Sequence, residues 1–208
     1  IRDAQESRGL GDVYKRQGYV LAKKNLPDLK LKAISSRSDK SLNRARNILG
    51  DLAENIYFTK DKLEATRLSN CVLISTPDDS ISSVCREIFK GSRLDGKKYI
   101  VIHFSGSKPL EVLDAAKRSG ALTASIHPIK SFASIKEAIK TIYGTVFGIT
   151  YSNDKAKRIA TRIIESLGGS IIEVENETKP LYHASACVAS NYLVSLINYA
   201  ASIHEKIG

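Results

Sequence analysis

Lys179, His183, Cys187, Ser190, Asn191 and Val194 are spaced by 4, 4, 3, 1 and 3 residues, which lines them along one face if the segment is helical. The segment is otherwise apolar, with Leu181, Val188, Leu193, Leu196 and Ile197. A helix of this kind ordinarily fills such a face with Leu or Ala, and a lone His or Asn there reads as a satisfied core polar group. Four polar side chains on one stripe give equal weight to a chemical reading. Lys179 or His183 would donate a proton to a carbonyl as its carbon takes up hydride, and Ser190 or Asn191 would hold the substrate by hydrogen bonds.

A second set lies upstream, after apolar runs. These runs end in Ser35-Ser36-Arg37-Ser38, Ser75-Thr76-Pro77-Asp78, Ser105-Gly106 and His127-Pro128. In open α/β sheets ligands bind at the carboxyl ends of the strands. Ordinary turn chemistry explains part of the pattern, but it does not explain Arg37. Dinucleotide sites carry an acid there, against the ribose hydroxyls. Ser36, Arg37 and Ser38 remove that repulsion and offer a guanidinium and hydroxyls to a 2′-phosphate, so the reading is NADP in preference to NAD.

The elements that must position these residues alternate along the chain. Strands are expected at 29–36, 56–58, 70–76, 98–104, 121–127, 146–151 and 170–174. Helices are expected at 40–49, 60–69 (or a turn), 80–89, 109–119 and 155–167, the last with Ala156, Ile159, Ala160, Ile163, Ile164 and Leu167 on one stripe. The strands are mostly continuous apolar runs, which implies a parallel sheet covered on both faces: a doubly wound α/β domain. After residue 178 the pattern is helix alone, so residues 18–175 form one domain and 176–208 begin a second, helical one.

Gly18-Tyr19-Val20-Leu21-Ala22 has the form of the third glycine and first helical turn of a phosphate-binding loop, yet no apolar strand precedes it. Residues 1–17 have neither periodicity and are read as a non-native, adaptor-derived segment. The chain contains no Met, and its final helical pattern runs into the terminus. Both ends are therefore expected to cut through a larger protein, leaving an inactive fragment whose first strand is missing.

The composition narrows the partners. The chain has 208 residues with 32 basic and 22 acidic side chains, a net charge of +10. The basic residues are spread without a block or aromatic interleaving, so the charge suits a solvated surface and steering of a phosphate-bearing ligand, not nucleic acid. No apolar run approaches the roughly 20 residues of a membrane span. Cys71, Cys85 and Cys187 form no CxxC, and only Cys187 has a His (His183) at ligand spacing; two ligands alone make a poor metal site, so the reading is reduced thiols in a cytoplasmic protein without a metal site.

Gly18 to Ala22, Ser36-Arg37-Ser38, Ser75 to Asp79, His103-Phe104-Ser105-Gly106, His127 to Phe132 (HPIKSF) and Lys179 to Leu196 (KPLYHASACVASNYLVSL) occur in one order. Together they resemble the Rossmann-like bacterial oxidoreductases with a C-terminal domain of unknown function 2520. These sit near the ketopantoate reductases, the pyrroline-carboxylate reductases and the deazaflavin-dependent NADP reductases. The resemblance implies an NAD(P)-binding domain followed by a helical, 6-phosphogluconate-dehydrogenase-like domain that dimerises. The cofactor would lie over Gly18, Ser36, Arg37, Thr76, Pro77 and Ser105, with Ser38 and Asp78 beside them. The cleft between domains would hold His127, Lys179, His183, Ser190 and Asn191. The expectation is an NADP-dependent reductase of a small polar carbonyl or imine, led by a ketopantoate-like 2-oxo acid; the alternative is a non-catalytic NADP-binding sensor or regulatory module. A homodimer through further C-terminal helices is also expected.

Overall fold

The computed structural model describes residues 29–90, 98–130 and 141–207, with only the backbone at Ser190 and Asn191. Gly18, the segment 1–17 and part of the HPIKSF motif lie outside the described residues. The strands are β1 (Ala33–Ser35), β2 (Tyr57–Thr59), β3 (Cys71–Ile74), β4 (Ile100–His103), β5 (Leu122–Pro128), β6 (Val146–Tyr151) and β7 (Ser170–Glu173). The helices are α1 (Asp39–Leu49), α2 (Lys62–Arg67), α3 (Ile81–Phe89), α4 (Asp114–Arg118), α5 (Asp154–Ser166), α6 (Lys179–Cys187) and α7 (Leu193–His204).

β1 and β2 pair in parallel as a two-stranded sheet, while the other strands form a five-stranded sheet in the order β3-β4-β5-β6-β7. Among the described residues no strand joins the two. β3, β4 and β5 are parallel, but β6 pairs antiparallel with β5 and then parallel with β7. The parallel sheet expected from sequence is present, with one antiparallel pairing, between β5 and β6, that the sequence did not mark. A strand covered on both faces is an apolar run whichever way it points, so hydropathy carries no record of direction.

Both faces are covered because β4 and its neighbours alternate between two apolar clusters. Ile100, Ile102, Phe104, Ala124, Ile126, Phe147 and Ile149 pack on Ala156, Ala160, Ile163 and Ile164 of α5. The two alanines let that helix approach closely. On the other face Tyr99, Val101 and Ile74 meet Ile81, Cys85, Ile88 and Phe89 of α3 and Leu113 and Ala116 near α4. Asn153 caps α5 by accepting from Ala156 N at 3.0 Å, and Asp61 caps α2 by accepting from Leu63 N and Glu64 N.

After β7 the chain turns directly into α6. The Asn176 side chain pins this turn: its Oδ1 accepts from Leu110 N at 2.7 Å and its Nδ2 donates to the Glu111 carboxylate at 3.0 Å. Between α6 and α7, Val188–Tyr192 form a π-helical turn. Leu196, Ile197 and Tyr199 of α7 are exposed. Among the described residues no helix is long and apolar enough to cross a membrane.

Candidate functional site

Residues paired across adjacent strands point to the same face of a sheet. His103 pairs with Ser125 and Ser125 with Thr150, and His127 pairs with Gly148 one step along. These residues share the face that carries Val101, opposite the one covered by α5. A face that is apolar at one end of β4 therefore becomes a row of His, Ser, Thr and His at the other. Helix α6 lies over this row.

Lys179, the first residue of α6, turns its side chain inward and is 2% exposed. Its Nζ donates to Ser125 Oγ at 2.8 Å and to the Ser105 carbonyl at 3.4 Å. Burial pushes its pKa down to about 8, opposed by the Asp78 carboxylate. Ser125 Oγ donates to the same Ser105 carbonyl at 3.2 Å. Ser105 Oγ donates to Asp78 at 2.5 Å and accepts from Lys108 N at 3.0 Å, and Ser107 Oγ adds a bond to Asp78 at 3.2 Å. One continuous network thus runs from the end of β3 to α6.

Tyr182, one turn into α6, lies over Gly148, with its hydroxyl 3.0 Å from His127 Nδ1 and 3.4 Å from the His127 carbonyl. The His127 ring meets the rings of Tyr182 and His183 edge to face, with centroids 5.7 and 5.6 Å away. It also lies flat over Gly106, where a Cβ would stand 2.7 Å from the ring. Burial, then the charges of His183 and Lys179, hold the His127 pKa down at about 4, while burial lifts the Tyr182 hydroxyl to about 12.

His103 is fully buried and accepts from Ser105 N through Nδ1 at 3.2 Å, which leaves its proton on Nε2. Among the described residues that nitrogen has no hydrogen-bond partner, and burial sets the His103 pKa near 3. His183 Nδ1 is likewise buried without a partner among the described residues, with Nε2 3.7 Å from Cys187 Sγ. Unpaired buried polar atoms are uncommon in folded proteins and mark places where a ligand or water binds.

A cleft of about 450 Å³ separates the two sheets, lined by Ser36, Arg37, Thr76 and Pro77 among apolar side chains of β1 and β3. Thr76 Oγ1 is buried there without a partner among the described residues. The Arg37 guanidinium is exposed and close enough to Glu87 to help hold that carboxyl below its usual range, after Lys62, which pairs with it directly.

Of the residues picked out by sequence, Lys179, His183, His127, Ser105 and Asp78 come together at the ends of β3, β4 and β5. Ser36, Arg37, Thr76 and Pro77 gather in the cleft. Ser38 does not line it: its hydroxyl accepts from Ser41 N at 3.2 Å and caps α1. The stripe from Lys179 to Asn191 keeps its α-helical spacing only as far as Cys187, because the π turn carrying Ser190 and Asn191 adds a residue to the turn. Ser125, Tyr182, His103, Gly148 and Asn176 were not singled out from sequence as site residues. The alternation of Thr123, Ser125 and His127 in a buried strand was the available signal for Ser125.

A sequence model of the Rossmann-like domain matches residues 11–128, and one of a domain of unknown function, DUF2520, matches 145–208. No curated protein sequence matches the chain significantly. Among solved structures, a Bacteroides fragilis protein described as an NADP oxidoreductase is similar with TM-score 0.73 and 18% identity, over 96% of this chain and 71% of that one. A Thermotoga maritima protein is similar with TM-score 0.62 and 25% identity, over 94% and 68%. The Plasmodium falciparum pyrroline carboxylate reductase with NADP bound is similar with TM-score 0.66 and 16% identity, over 96% and 68%.

Proposed function

Because this chain belongs to the Rossmann-like domain family and carries DUF2520 behind it, we propose that it is an NADP-dependent oxidoreductase. Its substrate would be a small polar carbonyl or imine, with a ketopantoate-like 2-oxo acid first among them. The observation that carries this reading is the Lys179 ammonium, buried against Ser125 and the Ser105 carbonyl where α6 crosses the strand ends. The NADP oxidoreductase and NADP-bound reductase among the similar structures support it.

The residues of the cleft suit the cofactor. Thr76 offers a buried hydroxyl that has no partner among the described residues, and Ser36 and Arg37 offer donors to a 2′-phosphate. When bound, the nicotinamide supplies a hydride to the carbonyl carbon. Lys179 polarises the carbonyl through an N–H bond and delivers the proton to the oxygen; solvent then restores the ammonium. With its pKa near 8, Lys179 is charged at neutral pH yet releases its proton more readily than an exposed lysine. His103 and His127 stay neutral beside it and add no competing positive charge. His183, Ser190 and Asn191 would orient the substrate. The exposed apolar side chains of α7 support pairing with a second copy of the chain.

The test is fluorescence titration of the full-length protein with NADPH and NADH, followed by NADPH oxidation against a panel of 2-oxo acids and cyclic imines. Preference for NADPH, abolished by Arg37→Asp, and turnover abolished by Lys179→Met are expected. Binding of neither nucleotide would sink the reading. Binding without oxidation across the panel would leave the sensor role.

A further inference from the structure

Resting on that reading, we infer that Ser125 is the positioning residue of the site: its hydroxyl holds the Lys179 ammonium in place and favours its charged form. Ser125 is fully buried in the middle of β5, and its backbone is fixed by pairing with His103 on one side and Thr150 on the other. A buried, strand-centre position is ordinarily filled by an apolar residue, as Val101 is further along the same face.

The hydrogen bonds give the hydroxyl one available orientation. Its proton goes to the Ser105 carbonyl at 3.2 Å, so its lone pairs are turned to Lys179, 2.8 Å away. The other acceptor for Lys179, the same carbonyl, is longer at 3.4 Å and is shared with Ser125. A buried ammonium must be hydrogen-bonded, and a bond to its charged form favours that form. Ser125 supplies the shorter bond and, by occupying Ser105, settles where the longer one lies. Two of the three N–H groups are then held against the sheet, and the third is directed by them.

Several ionisable groups face Lys179 or lie beside it. These are Asp78 after β3, His103 on β4, His127 on β5, and Tyr182 and His183 on α6. His103 and His127 titrate near 3 and 4 and Tyr182 near 12, well away from Lys179 near 8. Asp78 acts on Lys179 by charge and through Ser105, and it is left intact by changes at Ser125.

The experiment is an NMR titration of the lysine Cε resonances of the whole chain labelled with ¹³C-lysine, with Lys179 assigned by its loss in Lys179→Met. The midpoint near 8 should fall by roughly one pH unit in Ser125→Ala, the equivalent of one ordinary hydrogen bond. It should return in Ser125→Thr, which keeps the hydroxyl. Ser125→Cys, nearly the same size with a weak acceptor, should shift like alanine and serves if Ser125→Ala does not fold. An unchanged midpoint in the folded Ala or Cys variant would overturn the inference. NADPH-dependent reduction of the carbonyl panel provides the separate readout. If Lys179→Met turns over normally, the reductase mechanism fails whatever the titration shows. If only the titration is flat, the mechanism stands and Ser125 is a packing residue.

Discussion

The Tyr182 hydroxyl occupies the space that a side chain would fill at Gly148: a Cβ there would stand 2.4 Å from the oxygen. The backbone of β6 is thereby part of the site, and α6 is registered on the sheet through one glycine. Gly148→Ala must push Tyr182 away, and with it the contact to His127. We expect a loss of about 1–3 kcal/mol, measured by urea unfolding. Tyr182→Ala should recover part of it in the double variant. Equal losses in the two backgrounds would show that the hydroxyl is not the obstacle.

Lys179 gives a stability signature as well as a chemical one. Its folded pKa, near 8, lies below the ordinary 10.5, so the unfolded chain binds more protons between those values. Stability should therefore rise with pH from about 8 to 10.5, where the cost of the buried charge disappears. Lys179→Met should unfold later than the parent at pH 7, by as much as roughly 3 kcal/mol, and that advantage should vanish above pH 10.5. A destabilised Lys179→Met at pH 7 would contradict this account of the buried charge.

His103 and His127 predict the opposite limb. Both are held neutral, with pKa values near 3 and 4 against an ordinary 6.5. Their contribution is complete above pH 6.5 and is lost as pH falls toward those values, at up to about 1.4 kcal/mol per pH unit for each. Denaturation midpoints should drop steeply between pH 6 and 4, and His127→Asn should flatten that slope. An unaltered slope would assign the acid transition to carboxylates instead.

Asn176→Ala should release α6 at its start. It leaves Leu110 N without its 2.7 Å acceptor and frees the Glu111 carboxylate. A loss of about 1–3 kcal/mol is expected, with NADPH affinity unchanged because Asn176 does not line the cleft. Weakened NADPH binding at unchanged stability would place Asn176 against the nucleotide.

The sequence made the layers and one half of the site legible. Periodicity located the apolar stripe of α5 and the runs of β3 to β6, and the polar ends of those runs marked Thr76, Ser105 and His127. Arg37 stood out because its charge is opposite to what the position usually carries. Ser125 lies inside a run that reads as a plain strand, and His103, though quoted within the His103-Phe104-Ser105-Gly106 segment, carried no site role there, since a buried polar residue differs from a turn residue only by what faces it. Tyr182 and Gly148 were invisible for a related reason. Their value lies in a contact between α6 and β6, and no local pattern records the antiparallel pairing that brings His127 beside Gly148. Ser38 shows a further ambiguity: it caps α1 and does not line the cleft, and a helix-capping serine and a phosphate-binding serine look alike after a strand.

The π-helical turn at Val188–Tyr192 also affects how this chain tolerates change. One residue in an α-helix corresponds to about 100° of rotation, so α6 and α7 are set at different angles by a single insertion. Removing one residue between Val188 and Tyr192 would straighten the segment and swing Leu196, Ile197 and Tyr199 through about that angle while Lys179 and Tyr182 stayed docked. The length of the turn thus sets where the surface of α7 points relative to α6, and the same deletion would shift positions 190 and 191 within the turn, so the aim of α7 and the proposed substrate-orienting positions are tied to one backbone feature.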